Sequence, residues 1–367
     1  MLFGNLEAIK LFSVRETPNV SIYKCISRYS CFILKTYVIR PNITGEYVWV
    51  DKNFYSTHQR LNKKHPNKIC FDLWLVGITD GIGCFLISYI NNKWYLTYKL
   101  FEPRYNLRLL YKIKRTLGVG SVVKNNTTAQ FIINDRKTLK TTIFPIFAQN
   151  PLLTSKSFYY DRFKEAFFIL ENNNLTQEDK DIKLNLIKEE IRNFEAKLVC
   201  VHTRVNLQEG TAVITPCFSK NYQEVKKVIT KSWIVGFIEV KGMFYFKEFA
   251  TAKAPVIFAN RFKLITKFDG TILEVLRSIF HIPAKVKYDF YYNYYILNTT
   301  NSRCTRNIIK YLHGNLEGMK SLSFRLWSRG HLIVNNIEKI SKINSILCRV
   351  ESKLNNNALL PKKNRVA

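Results

Sequence analysis

The sequence predicts an α+β fold built from two repeated αββαββα halves in one chain, and three observations carry that prediction. A glycine-bearing apolar stretch occurs twice. Strand-like and helix-like patterns follow each occurrence in the same order. Basic residues interleave with Tyr and Phe along the whole chain, as a nucleic-acid-facing sheet requires.

The first copy opens Trp74-Leu75-Val76-Gly77-Ile78-Thr79-Asp80-Gly81-Ile82-Gly83-Cys84-Phe85 and the second Trp233-Ile234-Val235-Gly236-Phe237-Ile238-Glu239-Val240-Lys241-Gly242-Met243-Phe244. The copies lie 159 residues apart, counted from Gly77 to Gly236, with Trp, Val, both glycines and Phe identical and Asp80 answered by Glu239. Alternating aromatic and polar positions follow over 85–101 and 244–264, the period of a half-exposed strand pair. Helical patterns come next, Asn106-Leu107-Arg108-Leu109-Leu110-Tyr111-Lys112-Ile113 and Ile272-Leu273-Glu274-Val275-Leu276-Arg277. Strand-like runs at 120–124 with 129–133, and at 285–288 with 294–298, complete each sheet. Gly118-Val119-Gly120 has no following Gly-Lys-Ser/Thr, so it reads as a helix end entering a strand, not a phosphate loop. A last helical stretch closes each copy, ending in Pro151-Leu152-Leu153-Thr154-Ser155-Lys156 and in Leu316-Glu317-Gly318-Met319-Lys320.

These boundaries divide the chain into an N-terminal leader (1–70), a first half (71–175), an acid-rich helical linker (176–230), a second half (231–345) and a basic, poorly packed tail (346–367). The leader holds apolar bursts such as Cys31-Phe32-Ile33-Leu34 and a basic run from Arg60 to Lys68, but Glu7 and Glu16 at its start argue against an import signal.

Composition narrows the function. With 57 Lys+Arg against 27 Asp+Glu the formal charge is +30, and a domain this basic calls for a polyanion. Nucleic acid fits better than an anionic membrane, because the basic residues are not gathered on one amphipathic helix. No run of about 20 uncharged apolar residues exists to span a bilayer. The eight cysteines and six histidines lack zinc-ligand or disulfide-framework spacing, which points to a reducing compartment. The abundance of Lys, Asn, Ile, Phe and Tyr is what AT-rich codons produce, so an organelle, first the mitochondrial matrix, is the expected location.

At 75–83 and 234–242 the sequence resembles the nine-residue LAGLIDADG motif, and the span from about residue 71 to 335 is similar to a two-motif, single-chain member of that homing-endonuclease and intron-maturase family. The resemblance implies saddle-shaped antiparallel sheets and a monomer with an internal pseudo-two-fold axis. It implies that the motif helices pack side by side, with Gly77, Gly83, Gly236 and Gly242 allowing close approach and Asp80 and Glu239 in a structural role. It further implies that the motif's eighth residue supplies a carboxylate to divalent metal between two DNA strands.

Those eighth positions are here Ile82 and Lys241. Isoleucine offers no ligand, and a lysine cation opposes metal by roughly a few kcal/mol at such range in a partly desolvated site. No catalytic residues and no cofactor are therefore expected, with Mg²⁺ entering only if residual nuclease activity exists. Lys156 and Lys320 fall where the family carries a lysine flanking the active site, and either can serve equally as a plain phosphate contact. The groove-facing candidates are Lys93, Tyr95, Tyr98 and Lys99 in the first copy, and Lys247, Arg261, Lys263, Lys287, Tyr291 and Tyr292 in the second. Strand alternation allows only about half of such residues to share one face.

The leading expectation is a catalytically inactive organellar RNA maturase, a splicing cofactor for group I introns that favours RNA over DNA and reads it through shape and phosphates. The alternatives are a DNA homing endonuclease, and a former endonuclease recruited into a ribonucleoprotein such as the mitochondrial ribosome.

Overall fold

The computed structural model describes residues 69–203, 221–251, 254–333 and 336–355, together with four short strands before residue 52. The chain divides into two units, Met1–Cys70 and Phe71–Ala367. In the first, β1 (Phe12–Ser13), β2 (Ile22–Lys24), β3 (Thr36–Pro41) and β4 (Tyr47–Asp51) form an antiparallel meander. The apolar burst at 31–34 and the basic run at 60–68 lie outside the described residues.

In the second unit, the first half runs α1 (Phe71–Ile82), β5 (Gly83–Ile90), β6 (Lys93–Pro103), α2 (Leu107–Leu117), β7 (Ser121–Lys124) and β8 (Thr128–Ile133). A helical turn at Arg136–Thr138 and a π-helical turn at Leu139–Ile143 lead into α3 (Phe144–Gln149). Pro145 has no N–H to give the preceding turn, which accounts for the local widening. Then come α4 (Lys156–Glu171) and α5 (Gln177–Thr203). After α6 (Tyr222–Val228), the second half repeats the order: α7 (Lys231–Lys241), β9 (Gly242–Thr251), β10 (Ala254–Thr266), α8 (Gly270–Ile279), β11 (Lys287–Asp289), β12 (Tyr294–Thr299), α9 (Ser302–Leu312), α10 (Lys320–Leu332) and α11 (Ile337–Asn355).

Each half holds a four-stranded antiparallel sheet, in the orders β5-β6-β8-β7 and β11-β12-β10-β9. Asn91 and Asn92, both at positive φ, make the tight turn between β5 and β6, a conformation in which asparagine costs least. Gly118 caps α2 in the left-handed region at φ 72°, ending the helix as the sequence predicts. The inner sheet faces bury Phe85, Tyr98 and Phe131 in one half and Phe244, Phe262 and Leu297 in the other. Phe147, Tyr160 and Phe163 cover the first set, and Phe324 and Trp327 the second.

The helical linker is carried by α5, which returns along α4, where Phe194 stacks on Phe158 at 3.9 Å between ring centroids. One expectation changes. The tail expected from residue 346 is, as far as Asn355, part of α11, with Leu347, Val350 and Leu354 buried. Its apolar residues recur at three- and four-residue spacing among enough charges to pass for a solvated stretch. Each half is thus αββαββα extended by two further helices.

Candidate nucleic-acid interface and the motif crossing

The motif helices α1 and α7 cross at their third-position glycines. A Cβ on Gly77 would strike the Trp233 carbonyl oxygen, and one on Gly236 the Trp74 carbonyl oxygen, so the crossing is reciprocal and only glycine fits at either position. The ninth-position glycines do something different from what the sequence suggests. A Cβ on Gly83 or Gly242 would meet Thr79 or Ile238 of its own helix, so these residues let the chain leave the helix for the strand and do not set the helix spacing. The seventh position, Gly81, contributes to the crossing instead, since a Cβ there would meet the Val240 side chain.

The sixth-position acids are buried, and each anchors the turn that starts its half's next long helix. Asp80 accepts the N–H groups of Leu153 (2.9 Å) and Thr154 (3.1 Å), the Thr154 hydroxyl (2.5 Å) and the Trp233 indole N–H (2.8 Å). Glu239 accepts the N–H groups of Glu317 and Gly318, both at 2.8 Å. Burial lifts Asp80 to about 6 and Glu239 to about 7, against hydrogen bonds that favour the charged form.

A second pair of anchors is exchanged between the halves. Asn106 and Asp269 precede α2 and α8, where such residues ordinarily cap their own helix, but neither does so. Asp269 accepts the Ser155 N–H at 2.6 Å and its hydroxyl at 3.1 Å, while Asn106 accepts the Met319 N–H at 2.9 Å. Each half therefore caps the other half's long helix. Sequence reasoning missed both residues, and their signal was a matched Asn/Asp at equivalent places in the two copies.

Ile82 and Lys241 lie at the feet of the crossed helices and line one cavity of about 610 Å³. The Lys241 ammonium is pushed down by burial and by Lys156, while Asp269 and Glu102 oppose that shift. Glu102, 5% exposed and also unforeseen from sequence, accepts the Asn106 amide N–H at 3.0 Å and is lifted by burial to about 7. Among the described residues no cluster of three or more His, Cys, Asp or Glu could hold a metal. A hydrocarbon and a cation at the eighth positions do not fit the divalent metal that the family resemblance implies.

The flanking lysines diverge. Lys320 is 3% exposed and faces the Glu351 carboxylate of α11 at 3.4 Å, whereas Lys156 sits partly exposed with its ammonium 5.7 Å from the Tyr159 ring.

The register sorts the strand candidates. Along β6, Lys93, Tyr95 and Lys99 share the outer face, and Tyr98 faces inward, fully buried, with its hydroxyl 2.7 Å from that of Thr79. Tyr98 is therefore no groove residue. It falls between two outward positions, and the period of two sends it to the core. In the second sheet Lys247 pairs with Ala259, Arg261 with Tyr245 and Lys263 with Met243, while Lys287 is joined through Ile296 to Ile265. All four cations share one face, opposite the buried Phe244, Phe262 and Leu264. Tyr291 and Tyr292 occupy the exposed turn between β11 and β12.

Residues 75–167 match the LAGLIDADG endonuclease family. The probable intron-encoded endonuclease Cox1-I1b of Schizosaccharomyces pombe is 35% identical over 309 residues, covering 81% of this chain and 73% of that protein. The mitochondrial protein RF1 of Saccharomyces cerevisiae is 31% identical over 179 residues, 47% of this chain and 32% of its own. Among solved structures, I-SmaMI bound to uncleaved DNA in the presence of calcium superposes with a TM-score of 0.62 at 20% identity, covering 76% of this chain and 97% of that one. A doubled α+β architecture around two crossed glycine-bearing helices defines the single-chain, two-motif LAGLIDADG proteins. The present chain belongs to the LAGLIDADG endonuclease family.

Proposed function

We propose that this chain is an organellar, intron-encoded nucleic-acid-binding protein that grips duplex DNA across the outer faces of its two sheets without cutting it by the family's metal-dependent route. The observation that carries the second part is the pair Ile82 and Lys241 at the positions where the family places metal-binding carboxylates. The first part is supported by seven basic or aromatic side chains, Lys93, Tyr95, Lys99, Lys247, Arg261, Lys263 and Lys287, sharing the outward register of their sheets. DNA comes first because the relatives are intron-encoded endonucleases by name and I-SmaMI holds DNA. Location in the mitochondrion is supported by the same kinship, since RF1 is a mitochondrial protein by name.

A second reading is the RNA maturase. It is favoured by a chain that keeps its basic strands and crossing glycines while both metal positions have changed, since an RNA clamp needs the scaffold and not the acids.

Binding of duplex DNA and of structured RNA, followed across salt with and without Mg²⁺ and scored for strand cleavage, tests both readings. If six to ten phosphates are engaged, affinity falls about 10³- to 10⁵-fold between about 50 and 200 mM salt. Mg²⁺-dependent cutting of DNA overturns the argument from Ile82 and Lys241. RNA bound far more tightly than DNA at equal salt selects the maturase.

A further inference from the structure

We propose that the cavity at the feet of the motif helices receives one unpaired nucleobase, stacked on the Tyr291–Tyr292 turn and read along its edge by Glu102. The inference rests on the nucleic-acid reading above and deepens it, because it gives that surface a pocket for a base that has left its pair.

The cavity holds about 610 Å³, within the usual size of small-molecule sites. Its lining includes Phe101 and Pro103 from β6 and Met243 and Ile265 from β9 and β10. These residues share the outward register of the strand cations, so the cavity opens on the face that meets nucleic acid. Apolar walls with a few convergent polar groups suit a planar, weakly polar ring better than a phosphate or a metal ion.

Two features select a nucleobase. The first is aromatic. Tyr292 lies parallel to Tyr294, 5.7 Å between ring centroids and 9° between planes, and Tyr291 beside it is 84% exposed. Tyrosine this exposed gains nothing for the fold, whereas an unstacked base offers it a ring partner. The second is polar. Glu102 lines the cavity with one carboxyl oxygen engaged by Asn106, while the other has no hydrogen-bond partner among the described residues. A carboxyl oxygen that lines the cavity and meets no donor of the protein suits the exocyclic amino group of a base. Lys241 and Lys267 line the same cavity and place cations beside the phosphates that must flank an extruded nucleotide.

The test uses the full chain and two duplex DNA probes of one sequence, with a single 2-aminopurine either bulged or paired. The bulged probe is expected to bind roughly tenfold more tightly, with its emission falling as the base stacks on tyrosine. Tyr291→Ala with Tyr292→Ala removes that preference, so that the bulged and paired probes bind alike, while the cooperative thermal transition stays in place because the turn is exposed. Glu102→Gln erodes discrimination between a bulged base bearing an amino group and a bulged thymine. Equal affinity for both probes with unchanged emission overturns the pocket and leaves the sheet-face reading standing. Absence of salt-sensitive binding to either probe overturns both.

Discussion

The two halves of the second unit share their strand order, their crossing glycines and their exchanged caps, yet they anchor the shared centre with different strength. In the first half Asp80 collects four hydrogen bonds, one of them from Trp233 in the opposite motif helix. In the second half Glu239 collects two, and the corresponding indole, that of Trp74, is buried with no hydrogen-bond partner for its N–H. The longer glutamate reaches its own turn at 317–318 without meeting the tryptophan. The second half compensates elsewhere, since α11 supplies Glu351 to the buried Lys320. A duplicated fold can therefore keep its geometry while its two centres drift apart in chemistry, and Ile82 and Lys241 are the furthest point of that drift.

The largest effect should come where the halves are most alike. Gly77→Val and Gly236→Val each drive a side chain into a backbone carbonyl, and each should cost about 4 kcal/mol or more, read as loss of the cooperative thermal transition. A mild effect at either one breaks the reciprocity. Next, Glu351→Gln removes the ion-pair partner of a buried lysine and should cost about 3 kcal/mol in denaturant melts. Glu195→Gln, at an exposed position near Tyr159 on α5, should change stability by less than about 0.5 kcal/mol.

pH sharpens the comparison further. A carboxylic acid whose folded value is raised stabilises the fold fully below its unfolded value and loses that contribution as pH rises through the folded one. Asp80 should thus lose its contribution between 3.8 and about 6, and Glu239 between 4.5 and about 7. Each amounts to roughly 3 kcal/mol at most. Glu239→Gln should weaken the fall of stability between pH 4.5 and about 7, leaving the share that Glu102 contributes over the same range, and Asp80→Asn should weaken it between 3.8 and about 6. A smaller difference separates the tryptophans. Trp233→Phe removes a donor from Asp80 and should cost about 1 kcal/mol more than Trp74→Phe, which deletes a buried donor that has no acceptor.

Much of this fold was legible in the residues. The repeat at Gly77 and Gly236 was visible because a backbone crossing tolerates one residue type. The strands were visible because a half-buried sheet enforces a period of two. Tyr98 shows the limit: it reads as one more aromatic in a basic strand until its neighbours are counted in register. The tail shows another, because α11 buries a narrow stripe that its charges conceal. Least legible was the centre itself. Asn106 and Asp269 look like caps of the helices they precede, and Glu102 looks like any strand-end acid.

The sequence by itself determined the doubled α+β plan, the run of basic residues along its strands and the Ile82 and Lys241 at the motif's eighth positions, since periodicity, charge and residue chemistry are local properties. Only the tertiary structure decided that the caps cross between the halves, that Lys320 is sealed by Glu351 while Lys156 is not, and that a cavity gathers Glu102, Lys241 and the tyrosine turn. Those facts depend on which residues meet across 31 to 213 positions of chain, and partners at that separation are chosen by packing, not by local pattern.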